Sequence, residues 1–168
     1  MATCLIAIQN GMAREVAAIT GRPLRDPVKA QSFNGAAPVK ISIDDYTLCP
    51  RYSALAFENV KVQPSPKWLQ ERLEAVGLNP INNLVDVTNF VMAELAQPMH
   101  AFDAGTLKGG IRVRRATGGE RLKVLNGSEL TLSDRYLVIA DDEKAVALAG
   151  VMGGADTGVT DTTRDVFL

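Results

Sequence analysis

The chain has 168 residues, of which 46% are hydrophobic and 22% charged. That is ordinary globular usage, enough for one core or for two small packed halves, and it argues against a disordered segment. A formal charge of −1, from 18 Lys and Arg against 19 Asp and Glu, argues against nucleic-acid affinity driven by bulk positive charge.

In chain order, "NGMAREVAAITG" predicts a short helix with Asn10 as N-cap, Gly21 as its stop, and Met12, Val16 and Ile19 as an apolar stripe. Val39, Ile41 and Ile43 alternate as in a strand, and "YSALAFENVKV" reads as a further strand pair. "SPKWLQERLEAVG" predicts a second helix, capped by Ser65, with Pro66 in its first turn and Gly77 at its end. Leu69, Leu73 and Val76 fall on one side of it. A third helix should run from about Asn83 to Ala96 and stop ahead of Pro98. Its stripe is Leu84, Val87, Val91 and Leu95, while Asp86, Asn89 and Ala93 share another face. From Gly110 the texture changes to alternating strands, with Asn126-Gly127 as a hairpin turn and a second hairpin turning at Asp141 to Lys144. The sum is an α+β arrangement of helices packed on a strand-rich half, with no internal repeat. The closing "DVFL" reads as the middle of a strand, so an excised fragment is expected.

Cys4 and Cys49 lie far apart, with no CxxC and no second histidine, so no metal site is expected. Lone cysteines without a signal peptide fit a reducing, cytoplasmic compartment. No apolar run approaches the ~18 residues of a membrane span, so no membrane contact is expected. Lys108, Arg112, Arg114, Arg115, Arg121 and Lys123 form a basic strip opposed only by Glu120. It reads either as alternating charge on an exposed strand face or as a binding strip. The glycine loop "GVMGGADTG" lacks the GxGxxG spacing and the Lys-Ser/Thr pair of a phosphate cradle, so a turn needing positive backbone dihedrals is the simpler reading. Close backbone approach to a small acyl or amino-acid ligand stays open there. No GxSxG motif or inferable Cys–His pair supports a nucleophilic triad.

His100, in "QPMHAFD", is the one histidine of the chain. Its imidazole is suited to proton transfer near neutral pH, and a satisfied core histidine is the competing reading. The preceding helix carries Asn82, Asn83, Asp86, Thr88 and Asn89, a density of amide and carboxylate groups that either caps the helix or lines a polar pocket.

The run from "CPRYSALAFENV" through "NNLVDVTNF", "QPMHAFD" and "GGIRVRRA", and then "LVIADDEKAVALAGVMGGADTGVTDTTRDVFL", resembles the bacterial phenylalanyl-tRNA synthetase beta subunit in its central editing domain. The resemblance covers the chain from about Leu48 onward. "CLIAIQNGMAREVAAITGRPL" resembles the stretch just upstream, where the family usually starts Cys-Leu-Ser. It divides the chain into an upstream helix, linker and first strand over 1–47 and an editing-type domain over 48–168, truncated at its C-terminal end, together one compact unit. Layered sheets with an editing pocket between the halves are implied.

The implied activity is hydrolysis of tyrosine wrongly esterified to tRNA(Phe). An apolar pocket that accepts phenylalanine cannot strongly reject a ring that adds a hydroxyl, whereas a second pocket can read that hydroxyl with a polar partner. The resemblance places His100, Thr88 and Asn89 in the catalytic group, with His100 orienting water or the ribose end of the ester. It places Gly153 or Gly154 against the amino-acid moiety or the developing oxyanion. Asn79 stands where many relatives carry an arginine of the same pocket. A glutamate that accepts the tyrosine hydroxyl is expected one residue past Leu168, so the chain by itself should bind tyrosine and phenylalanine alike and weakly.

Arg112 and Arg114 are the expected nucleic-acid contacts. Implied partners are tRNA(Phe), the synthetase alpha subunit, and tyrosine or phenylalanine as ligands. No cofactor is expected in this chain, ATP and Mg belonging to the intact synthetase. A non-catalytic scaffold for tRNA and subunit contact, and a free-standing aminoacyl-tRNA deacylase, are the alternatives.

Overall fold

The computed structural model describes residues 12–25 and 39–168. Among these, residues 12–25 and 64–99 belong to a helical unit, and residues 39–63 and 100–168 to a strand-rich unit. The mixed α and β composition agrees with the fold class read from the sequence.

In the helical unit, α1 covers residues 12–20 and ends where Gly21 takes φ +65°. Its expected cap, Asn10, lies outside the described residues, as does Cys4. The stripe Met12, Val16 and Ile19 is exposed rather than buried, because no described side chain covers it. Helix α2, Lys67–Ala75, begins after Pro66, which holds the N-cap position without a side-chain bond. Ser65, expected as the cap, instead donates its hydroxyl to Asp86 Oδ2 at 2.5 Å. Leu69 and Leu73 are buried, but Val76 is exposed because the helix has already ended there. Gly77, at φ +79°, takes the left-handed turn that a side chain would strain.

Helix α3, Asn83–Leu95, is capped by Asn82, whose Oδ1 accepts the amides of Leu84 and Val85 at 3.1 and 3.0 Å. The expected buried stripe is met only in part, with Leu84, Val91 and Leu95 half-buried. Val87 is exposed, whereas Asp86 and Thr88 are buried, Asp86 to 0% exposure. The reason is polar packing: Asp86 receives the Ser65 hydroxyl through Oδ2 and the Ile81 amide through Oδ1 at 2.8 Å. A buried carboxylate survives when donors of this kind surround it. Trp68 of α2 and Phe90 of α3 meet edge to face, with centroids 5.7 Å apart.

In the strand-rich unit, β1 (Ile41–Ile43) runs parallel to β4 (Ile111–Arg115) at one edge of a five-stranded sheet. The sheet continues antiparallel through β7 (Leu137–Ala140), β8 (Ala145–Leu148) and β9 (Met152–Gly153). The expected strand pair after Tyr52 reduces to β2, Ala56–Phe57. It joins β3 (Phe102–Asp103) and β10 (Val166–Phe167) in a second sheet, with β10 central and antiparallel to both. β5 (Arg121–Lys123) and β6 (Glu129–Thr131) form the expected hairpin. Its turn has Gly127 at φ +85° and the Gly127 amide on Val124 O at 2.8 Å.

β7 is buried on both faces, which is why "LVIA" reads as a continuous apolar run. Val138 and Ala140 join Leu122, Val124 and Leu132 in one cluster. Ile139 joins Phe102, Ile111, Val146 and Phe167 in the other. Each large apolar side chain buried this way contributes ~1.5–3 kcal/mol relative to exposure. The second cluster is the floor on which the segment from His100 to Asp103 rests, through Phe102.

Candidate functional site

Pro98 ends any continuation of α3, and the chain reaches His100 just ahead of β3. The imidazole meets the Phe102 ring edge to face, with centroids 4.5 Å apart and planes at 77°. It also lies against Gly153. A Cβ on that glycine would sit 2.2 Å from His100 Cε1 and 2.5 Å from Nε2, closer than any side chain tolerates. His100 Nε2 is buried and makes no hydrogen bond to any described residue. Desolvation lowers the imidazole pKa below its ordinary value, so the ring is neutral at physiological pH.

Gly153 and Gly154 are glycines for two separate reasons. Gly153 admits the His100 ring. At Gly154 a Cβ would fall 2.4 Å from Val146 O, which accepts the Gly154 amide at 2.8 Å. Since residues 146 and 154 are bonded across the β8–β9 pair, the next pair, 147 and 153, turns its peptide groups away from the partner. The Gly153 carbonyl accepts the Leu125 amide at 3.1 Å, and its N–H faces away from β8. In this loop the positive dihedral expected of the glycines is met at Gly150, φ +70°.

The remaining candidates lie on other elements. In the helical unit, Asn79 is exposed and Asn89 half-buried, while the Thr88 hydroxyl donates to Val85 O of its own helix at 2.7 Å. On β4, Arg112 pairs with Asp44 at 2.8 Å on the exposed face. Arg114 forms a two-pronged bond with Glu120, Nη2 to Oε1 at 2.8 Å and Nη1 to Oε2 at 2.9 Å. Glu120 also accepts the amides of Thr117 and Ala145 at 3.0 and 2.9 Å. The Arg114 bond, aided by these amides, holds its carboxyl down to about 2. Arg115 and Arg121 face Asp45 and Glu129 at 3.7 and 3.5 Å. The basic strip therefore carries carboxylate partners along most of its length, two of them (Asp44 and Asp45) from a segment distant in sequence and two (Glu120 and Glu129) from within ten residues.

A family model described as the B3/4 domain matches residues 48–168. The chain belongs to the B3/4 domain family. It is 61% identical over 161 residues to the phenylalanine--tRNA ligase beta subunit of Solibacter usitatus, covering 95% of this chain and 21% of that one. It is 48% identical over 163 residues to the corresponding subunit of Fusobacterium nucleatum, covering 94% and 20%. The resemblance to the bacterial beta subunit is thereby shown, and the chain spans about a fifth of the length of the curated relatives it matches. An N-terminal fragment of the phenylalanyl-tRNA synthetase beta-subunit from Pyrococcus horikoshii shares the fold. Its TM-score is 0.57 at 14% identity, over 82% of this chain and 44% of that one.

Sequence reasoning placed Asp141 in a hairpin turn but missed that it and Asp103 are polar anchors of this B3/4 domain. Asp141, 4% exposed, accepts the amides of Glu143 and Lys144 at 2.9 and 2.8 Å, which builds the β7–β8 turn, and the amide of Lys108 at 3.1 Å, which ties that turn to the segment ahead of β4. Asp103 accepts the Gly105 amide and the Thr163 hydroxyl at 2.9 and 2.6 Å. The one signal for Asp103 was its place in "HAFD", next to a noted histidine. Thr163 had none.

Proposed function

We propose that residues 48–168 form an editing-type module of a phenylalanyl-tRNA synthetase beta subunit, which hydrolyses tyrosine from mischarged tRNA(Phe) in the cytoplasm. The observation that supports this most is the His100 ring wedged against Gly153 with its buried Nε2 unbonded to any described residue. A core histidine kept only for packing would find a partner for that nitrogen, because an unsatisfied buried polar atom costs about 1–3 kcal/mol.

In this reading Nε2 hydrogen-bonds and orients a water molecule. The water oxygen attacks the ester carbonyl carbon, the bond to the ribose oxygen breaks, and the water protons end on the tyrosine carboxyl group and the ribose hydroxyl. The Gly153 N–H is the better oxyanion donor of the glycine pair, since the Gly154 amide is committed to Val146 O. Thr88, Asn89 and Asn79 enter as catalytic and substrate contacts on the strength of the family resemblance. The expected partners are tRNA(Phe) and the alpha subunit, with tyrosine or phenylalanine as the amino-acid ligand. No cofactor takes part in the hydrolysis.

The test is release of tyrosine from tyrosyl-tRNA(Phe). The chain should exceed the spontaneous rate, and His100→Ala should remove about 10²-fold of that excess while remaining folded. A His100→Ala variant that hydrolyses as fast as the parent refutes the reading.

A further inference from the structure

Residues 158–167 wrap the segment that carries His100. Gly158 bridges Phe102, Phe167 pairs with Phe102, and Val166 pairs with Asp103. The Ala104 amide donates to Asp165 O at 2.9 Å. Thr163 lies at the centre of this contact and is 2% exposed. Its hydroxyl donates to Asp103 Oδ2 at 2.6 Å across a sequence separation of 60 residues, while its oxygen receives the Thr160 amide at 2.9 Å. Asp103 Oδ1 holds the Gly105 amide, so the carboxylate is clasped from both sides.

The ladder that follows His100 is short, since β3 has two residues. Beyond its two rungs the segment is held by the Phe102–Gly158 bridge, by the Ala104 amide on Asp165 O, and by the side-chain bond of Thr163 to Asp103. The Thr163–Asp103 bond is short and charge-assisted, and it falls one residue beyond Phe102, whose ring backs the imidazole. A threonine needed only to fill space would gain more as valine. This one aims its hydroxyl at the carboxylate three residues after the histidine.

We infer that Thr163 is a positioning residue: acting through Asp103, it holds the His100–Phe102 segment against Gly153 so that Nε2 keeps its aim. The inference rests on the reading of His100 as the hydrolytic group. A displacement of about 1 Å at a reacting group costs on the order of 10²-fold in rate, so a contact outside the site is able to matter.

The chain has one histidine, which gives a single set of imidazole resonances. Thr163→Val keeps the shape and removes the hydroxyl, and Thr163→Ser returns it. The valine variant should shift the His100 ring resonances and move their titration midpoint up toward that of a solvated imidazole. It should also lower kcat for tyrosyl-tRNA(Phe) about tenfold or more at unchanged KM. The serine variant should restore both. A valine variant that melts earlier, yet keeps the parent's His100 spectrum and kcat while folded, overturns the inference. If it does not fold, Asp103→Asn is read the same way: a shifted His100 spectrum supports the link and an unshifted one overturns it. Should the parent chain hydrolyse no ester, the hydrolytic reading fails alone, and the spectra still decide the positioning link.

Discussion

Glu120→Gln removes one charge and almost no volume from the most heavily bonded carboxylate of the strand-rich unit. In the parent, its two oxygens accept both Arg114 nitrogens and the Thr117 and Ala145 amides. These donors hold the carboxyl at about 2, against 4.5 for the free side chain. At ~1.4 kcal/mol per pKa unit the ceiling on the linked stability is ~3.4 kcal/mol. Solvent screening reduces it, because the pair is only part-buried, and ~1.5–2 kcal/mol is the expected share. The sign follows from the depression: the stabilisation is full above pH 4.5 and is lost as pH falls toward 2. Urea unfolding followed by circular dichroism from pH 7 to 2 should show the variant ~2 kcal/mol less stable at neutral pH. Below pH 4.5 the gap should narrow, because the unfolded chain takes up a proton there before the folded carboxyl does, and it should nearly close at pH 2. Other carboxylates titrate in both proteins and cancel in the difference. A gap that stays constant across this range would refute the electrostatic account and leave only altered packing.

Asp141→Ala strips the acceptor from two turn amides and from the distant Lys108 amide and should cost ~1–3 kcal/mol, with Asp141→Asn recovering part of it, as thermal melts would show. Gly153→Ala forces a methyl group into the space of the imidazole, so the His100 resonances should move and ester hydrolysis should fall about as far as in His100→Ala, with the fold retained. Arg112 and Arg114 should separate: Arg112→Ala should flatten the salt dependence of tRNA binding by about one phosphate contact at unchanged stability. Arg114→Ala should instead destabilise by ~2 kcal/mol, because it strands Glu120. Identical behaviour of the two variants in both assays would show that their different partners are irrelevant.

Local patterns determined a good deal by themselves. Leu69 and Leu73 recur at helical spacing, Asn82 caps α3, Asn126-Gly127 turns a hairpin, and Ile111 and Val113 alternate with arginines on β4. Each depends on neighbours within a few residues, where dihedral preference and side-chain period act directly. The interest of His100, and the family to which the chain belongs, were also legible in the residues alone. Tertiary structure decided what depends on long-range partners. Ser65 left its helix cap for Asp86, which let a carboxylate take a fully buried position on α3. The basic strip turned into a set of ion pairs partly because Asp44 and Asp45 arrived beside Arg112 and Arg115 from about 70 residues away. Nothing in "GVMGGADTG" showed that one glycine makes room for an imidazole and the next for a carbonyl. Nor did Thr163 announce its bond to Asp103, because hydrogen bonding between segments 60 residues apart follows from sheet pairing and leaves no local period to read.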